Sequence, residues 1–222
     1  MENELVVKSN KLIEASYRLT LTEQRLILLA IVYARKTGLG LSEKNLLTIS
    51  ACDYAAQFGA DEKSAYAQIE QAAKTLFSRF VVINDHHPET GKPRSSDVRW
   101  VQKTSYISGA GLVQLKFSDD VIPLVTRLET EFTSYKLVVV SKLSSAYAIR
   151  LYELLIQWGS VGNREIEINW LKHTFQIDGE YQRLERLKSR VIDVAIKQIN
   201  EHSDLTVSYS QRKSGRTVTH LT

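Results

Sequence analysis

The strongest constraint on the fold is a segment with two chemically opposed sides, running from Tyr181 to Leu221. At about 100° per residue, Leu184, Leu187, Val191, Val194, Ala195 and Ile199 fall on one side of a helix and read as its core-facing stripe. Arg183, Arg186, Arg190 and Lys197 fall together on the opposite side, while Lys188 turns toward the apolar stripe and reads as structural. Beyond Asn200, the alternation of Leu205, Val207 and Tyr209 predicts a strand. Gln211 to Arg216 predicts a basic turn, and Thr217 to Leu221 a returning strand. Glu180 to Thr222 holds eight Lys/Arg and five Asp/Glu, so +3 of the formal net charge of +4 sits in this last fifth of the chain. The charge is placed rather than spread.

The rest of the composition narrows the class. A chain of 222 residues has room for two compact units of ordinary domain size. The net charge and a pI near 9.0 agree with an anionic partner without selecting one. Cys52 is the single cysteine, which excludes an internal disulfide and a multi-thiolate metal site and fits a reducing cytosol. Glu2 and Glu4 stand where a secretory signal would be basic and apolar. The longest apolar run, Leu26 to Ala34, is far short of the ~20 residues that span a bilayer. A cytoplasmic location, with no membrane association, is the expectation.

Taken in order, Leu5-Val6-Val7 reads as a short strand. Thr20-x-x-Glu23 is a capping box ahead of a helix from Leu21 to about Lys36, which Gly38 and Gly40 end. Leu47 to Ser50 predicts a strand, Ala51 to Phe58 a short helix, and Asp61 the cap of a longer helix from Glu62 to Phe80. That helix would bury Ala65, Ile69, Ala72, Ala73, Leu76 and Phe80, and present Lys63, Ser64, Gln71 and Lys74 on its polar side. Short helix, tight turn and long helix are the order of a helix-turn-helix, whose second helix offers its polar side to a major groove. Strands at Val81 to Asn84, Val98 to Ile107 and Leu112 to Phe117 follow. Ser118-Asp119-Asp120 then caps a helix to about Leu128, and Phe132 to Ser141 reads as a packed connector.

From Ser144 a helix runs to Trp158, with Ala148, Leu151, Tyr152, Leu155 and Trp158 on one face. Glu165 to Ile168 predicts a strand, and Asn169 caps a short helix from Trp170 to Phe175. Ile49-Ser50, Phe58 and Asp61 correspond in the order of elements to Ile168-Asn169, Phe175 and Asp178, at offsets of 119 and 117 residues. The chain therefore reads as two copies of one supersecondary unit, divided as residues 1–140 and 141–222. The fold class is α+β, two tandem winged-helix units. Trp100, Trp158 and Trp170 are assigned to the core.

No enzyme pattern is present, so the expectation is a non-enzyme without metal or cofactor. The chain lacks a Walker lysine loop and an HExxH motif, and Gly109-Ala110-Gly111 lacks the third glycine of a dinucleotide fingerprint. His86-His87 has no third ligand nearby and reads as loop. A rolling-circle nuclease would need a His-x-His pair, which is absent.

LTLTEQRLILLAI (Leu19 to Ile31), SKLSSAYAIRLYELL (Ser141 to Leu155) and LKSRVIDVAIKQINEHSDLTVSYSQRKSGRTVTH (Leu187 to His220) resemble the plasmid replication initiators built from two winged-helix domains. The resemblance covers nearly the whole chain, and its second-domain text is the specific part. It implies sequence-specific binding of double-stranded origin repeats called iterons, recruitment of host replication proteins, and repression of the initiator's own gene by a homodimer, with a monomer on the origin. Dimer contacts are expected in the first unit. It also implies a bacterial, plasmid-associated setting and both long helices in successive major grooves. The candidate DNA contacts are then Lys63, Ser64, Gln71 and Lys74 in the first unit and Arg183, Arg186, Arg190 and Lys197 in the second. Arg212, Lys213 and Arg216 in the basic turn are expected on the backbone, while Tyr66 and Tyr181, which open the two long helices, are assigned to packing with phosphate contact as the alternative. The chain stops at Leu221-Thr222 inside the expected last strand, a departure from the family's pattern that leaves a longer natural chain open. A winged-helix transcriptional regulator and a protein-interaction module remain alternatives on the residues alone.

Overall fold

The structure, a computed structural model, describes residues 4–42, 45–126 and 131–222. The first half contains β1 (Leu5–Ser9), α1 (Asn10–Glu14), α2 (Leu21–Thr37), β2 (Leu47–Ser50), α3 (Ala51–Phe58) and α4 (Glu62–Leu76). It continues with β3 (Phe80–His86), β4 (Pro93–Arg99), β5 (Val101–Ile107), β6 (Leu112–Phe117), α5 (Ile122–Val125), β7 (Phe132–Lys136) and α6 (Leu137–Ser141). The second half contains α7 (Ala146–Ile156), β8 (Ile166–Glu167) and α8 (Ile168–Thr174). A long helix follows in three parts: α9 (Leu184–Leu187), a π turn (Lys188–Ile192) and α10 (Asp193–His202), and then β9 (Gln211–Ser214) and β10 (Thr217–Leu221).

The helix starts follow from their caps. The Thr20 hydroxyl accepts from the Glu23 amide, and the Glu23 carboxylate accepts from the Thr20 amide at 2.7 Å, which is the predicted capping box and contributes roughly 1 kcal/mol. Gly38, at φ +72°, takes the left-handed position that ends α2. Between these caps every residue from Leu26 to Val32 is buried, so α2 is apolar all round and runs through the core rather than over it. Asp61 caps α4 through the Ser64 amide at 3.0 Å. The buried side of α4 is Ala65, Ile69, Ala72, Ala73 and Leu76.

The repeat read from spacing is present in the topology. In the first unit the antiparallel sheet runs β2-β6-β5, and in the second it runs β8-β10-β9. In both, the strand before the helix pair joins the last strand, which in turn joins the middle one. That is one winged-helix plan used twice. The first unit adds β1 paired with β7 and the β3–β4 hairpin.

The two units do not have separate cores. Buried apolar side chains from Val6 to Leu221 form one connected cluster, and α7 is the reason, since it packs on α1 and β7 on one side and on α10 on the other. Glu153 of α7, fully buried, accepts from Lys8 Nζ of β1 at 2.6 Å and from the Tyr135 hydroxyl of β7 at 2.5 Å. The Arg150 guanidinium lies 3.6 Å from the same carboxylate and donates to the carbonyls of Ile13 and Ala15 at 3.0 and 2.8 Å. Burial, then the Glu153 charge, pushes the Tyr135 phenol well above its ordinary range. It therefore stays protonated and able to donate.

Several expectations are corrected. α4 ends at Leu76 rather than Phe80, because Val81 and Ile83 are buried from strand β3. Phe80 is left 42% exposed beneath the Arg99 guanidinium. The single strand expected from Val98 to Ile107 breaks at Trp100, whose indole is fully buried edge-on to Tyr17 at 4.9 Å. His86, read as loop, lies in β3, which pairs with β4 as far as His86 opposite Pro93. The helix after Asp120 is Ile122–Val125 with Thr126 as its C-cap, and Arg127 and Leu128 of its expected extent fall outside the described residues. Phe132 to Ser141 is a strand and a helical turn rather than a connector. Trp158 lies beyond the end of α7 and is 41% exposed. Ile168 begins α8, so Asn169 is not its cap.

Candidate nucleic-acid interface

The long helix of the second unit starts later than its periodicity predicts. Tyr181 sits at φ +51°, a left-handed conformation that closes the turn after Asp178-Gly179. Arg183 is the extended N-cap residue, and the first helical position is Leu184. Arg183 is therefore not on the helix face with Arg186 and Arg190, yet its side chain still joins them. Arg183, Arg186 and Arg190 line one open concavity of about 930 Å³ with Glu180, Tyr181, Gln182 and Ser189.

The π turn from Lys188 to Ile192 accommodates one more residue per turn than an α-helix and changes which side chains are buried beyond it. Ile192 is buried and Val194 is 40% exposed, whereas an uninterrupted 3.6-residue period places Val194 inside. Leu187, Val191, Ala195 and Ile199 keep the expected buried face. Such turns recur at functional sites, and here Ser189 and Arg190 of the π turn face the concavity. Lys197 is on α10 outside it, 3.8 Å from Glu201.

Two acids near this surface are occupied. Glu180 is ion-paired with Arg18. Asp193 accepts from the Tyr209 hydroxyl at 2.7 Å, and burial together with this contact pushes that phenol up. Lys188 lies over the Tyr209 ring at 5.6 Å, in keeping with a structural role. The ion pairs of this region involve Arg18, His173, Lys197, His202 and Arg212. Among the described residues, none includes Arg183, Arg186 or Arg190. Three exposed guanidiniums without carboxylate partners make an anion-binding surface with donors in planar forks.

The basic turn is narrower than expected. Gln211 to Ser214 is strand, and only Gly215 and Arg216 turn, with Gly215 at φ +62°. Leu205, Val207 and Tyr209 alternate inward as predicted, but the segment joins no ladder. Instead Asn200 ties Val207 through its side-chain amide, at 2.6 and 2.9 Å. Lys213 and Arg216 are exposed. Arg212 is held by Glu165 through two hydrogen bonds, at 2.5 and 2.9 Å, and this contact keeps the Glu165 carboxyl below its ordinary range.

On α4, Lys63, Ser64, Gln71 and Lys74 are all exposed. Lys74 donates to Glu70 at 2.6 Å, and Ser64 donates to the Asp61 carbonyl at 2.8 Å. Tyr66 packs against Gly111 at the tip of the β5–β6 hairpin, so tightly that a Cβ on Gly111 would lie 2.0 Å from its ring. Periodicity overlooked Gln182, Ser189 and Arg18. Ser189 was legible, lying three residues from Arg186 on the same face, whereas Arg18 reaches the site only through the fold. Among the described residues there is no cluster of three or more metal-ligating side chains, and no helix is long and apolar enough to cross a membrane.

Two family models match most of the chain: the first winged-helix domain of the initiator replication proteins at residues 5–156, and the second at residues 167–222. The chain belongs to the replication-initiator family. Over 220 residues it is 27% identical to an uncharacterised 27.6 kDa protein of Escherichia coli, covering 95% of this chain and 91% of that protein. It is 24% identical over 211 residues to the PI protein of Escherichia coli, covering 82% of this chain and 69% of that protein. The fold matches the Pi initiator protein solved in complex with iteron DNA, with a TM-score of 0.78 at 20% identity, over 100% of this chain and 96% of that one. The initiator is thus two winged helices in tandem.

Proposed function

We propose that this replication initiator recognises repeated duplex sites at a plasmid origin through the arginine concavity of its second unit. The observation that carries the reading is the convergence of Arg183, Arg186 and Arg190, free of ion pairs among the described residues, at the start of the long helix. Arginine forks match the O6/N7 edge of guanine and the oxygens of phosphate. Lys213 and Arg216 grip the backbone from the hairpin, with Arg212 joining them when Glu165 releases it. Lys63, Ser64, Gln71 and Lys74 make a second, weaker contact from α4, and Lys197 lies at the margin. The similar fold of the Pi initiator, solved with iteron DNA, supports duplex repeats as the ligand.

In this reading the chain is not an enzyme, needs no cofactor, works in the bacterial cytoplasm and divides functionally at residues 140/141. A monomer occupies the origin repeats and recruits host replication proteins, while a homodimer represses the initiator's own gene. The decisive titration compares cognate-repeat and scrambled duplexes with the natural protein and Arg190→Ala. Loss of about 1–3 kcal/mol on the cognate duplex alone is expected if Arg190 reads a base. Equal loss on both assigns it to phosphate, and no loss on either removes it from the interface. Maintenance of an origin plasmid only when the gene is supplied in trans separates the initiator role from plain transcriptional repression.

A further inference from the structure

We infer that the two long helices read different bases: α4 reads an A·T-bearing block through Gln71 and Ala67, and the second-unit helix reads a G-bearing block through Arg186 and Arg190. The inference rests on the duplex-binding function proposed above and specifies its ligand.

The case begins with what α4 leaves available. Its exposed face carries Lys63, Ser64, Ala67, Gln71 and Lys74, and α4 contains no arginine. Ser64 is used at the helix start by Asp61, and Lys74 is held by Glu70. Gln68 is half-buried with its amide turned to Ser64 at 3.4 Å. At the centre of the face this leaves a methyl group, Ala67, and one turn further on the Gln71 side-chain amide. That amide presents one acceptor and a pair of donors, the complement of adenine N6 and N7. An exposed alanine allows close approach of the helix and offers a methyl for apolar contact with thymine C5.

The second helix has the opposite chemistry. Arg186 and Arg190 carry donors only, which complement the two acceptors of guanine and not the mixed edge of adenine. The hairpin tips differ in the same sense. The first unit's tip, between Ile107 and Leu112, is Ser108-Gly109-Ala110-Gly111 without charge, whereas the second unit's hairpin carries Lys213 and Arg216. The first unit's tip therefore brings no cation to the phosphates, and base reading from α4 falls to Gln71, where a glutamine is informative and a lysine is not.

The test is selection of bound duplexes from a randomised pool by the full chain, repeated with Gln71→Ala, Gln71→Arg and the double variant Arg186→Ala/Arg190→Ala. Circular dichroism establishes that each exposed-site variant is folded. The natural protein should enrich two separate blocks, one A·T-bearing and one G-bearing. Gln71→Ala should lower discrimination at an adenine in the first block by about 5- to 150-fold, the range of one good bidentate contact at 1.4 kcal/mol per tenfold, and leave the guanines of the second block unchanged. Gln71→Arg should shift that position toward guanine, and the double arginine variant should relax the second block alone. Enrichment in which Gln71→Ala relaxes no position, or relaxes a G·C position, overturns the inference while leaving duplex recognition intact. Failure of the natural protein to enrich any sequence overturns the duplex-binding function and the inference with it.

Discussion

Glu153→Gln tests whether the buried carboxylate holds the two units together. The substitution preserves shape and removes one negative charge from a site where Glu153 is 0% exposed, Lys8 1% and Arg150 3%. Lys8 Nζ then faces a neutral amide at the 2.6 Å position of its only ion-pair partner among the described residues. Arg150 is less affected, since its guanidinium also donates to the carbonyls of Ile13 and Ala15. Leaving one buried charge unpaired costs about 3–5 kcal/mol, a large share of the roughly 5–15 kcal/mol that stabilises a typical domain. Equilibrium urea unfolding followed by circular dichroism should show a lower midpoint at unchanged slope. Lys8→Met in the Glu153→Gln background should recover part of the loss, because it removes the orphaned ammonium, and the two substitutions should couple by about 0.5–3 kcal/mol. A loss under about 1 kcal/mol for Glu153→Gln, with no recovery by Lys8→Met, would refute the argument that this carboxylate compensates a buried cation.

Two further outcomes follow from the wings. Glu165→Gln frees Arg212, so binding to any duplex should tighten and the salt dependence should steepen by about 0.9 in log–log slope, one more phosphate contact; an unchanged slope means that Arg212 does not reach DNA. The same release operates through pH. Arg212 holds the Glu165 carboxyl below its ordinary range, so the contribution of the pair to stability is present above the unfolded-state carboxyl value and is lost as pH falls through the lowered folded-state value. Gly111→Ala places a methyl group 2.0 Å from the Tyr66 ring at φ +62° and should cost roughly 1–3 kcal/mol in thermal or urea unfolding. A neutral effect would mean that the hairpin tip does not rest on Tyr66.

Sequence patterns and structure agree where one local rule governs. The capping box at Thr20, the cap at Asp61, the short helix Ala51–Phe58 and strand Leu112–Phe117 stand where spacing places them. Sequence and structure part where tertiary packing competes with a periodic pattern. Phe80 continues the helical stripe of α4 in spacing, yet the strand alternation of Val81 and Ile83 prevails because that places both in the core. Val194 fits a 3.6-residue period that the π turn interrupts, and no feature of residues 188–192 announces a π turn. Of the candidate site, the arginines were legible from composition and spacing, because exposed charge on an amphipathic helix has few alternatives. The occupation of Arg212 by Glu165 and of Glu180 by Arg18 was not, since each joins residues distant in sequence: 47 positions apart in the first pair and 162 in the second.

The pairing of β1 with β7 and of Lys8 with Glu153 also sets an order in time. The two charges are 145 positions apart, so at ~5–20 residues per second of synthesis Lys8 waits about 7–29 s on the ribosome before its carboxylate exists. For most of that interval β1 also lacks its strand partner, since β7 precedes Glu153 by only 17–21 residues, and the first unit can form its helices without closing. Closure belongs to the moment when α7 emerges, and with α7 comes the helix on which the second unit is built. Birth of the initiator as a finished first unit is thereby tied to the arrival of the second.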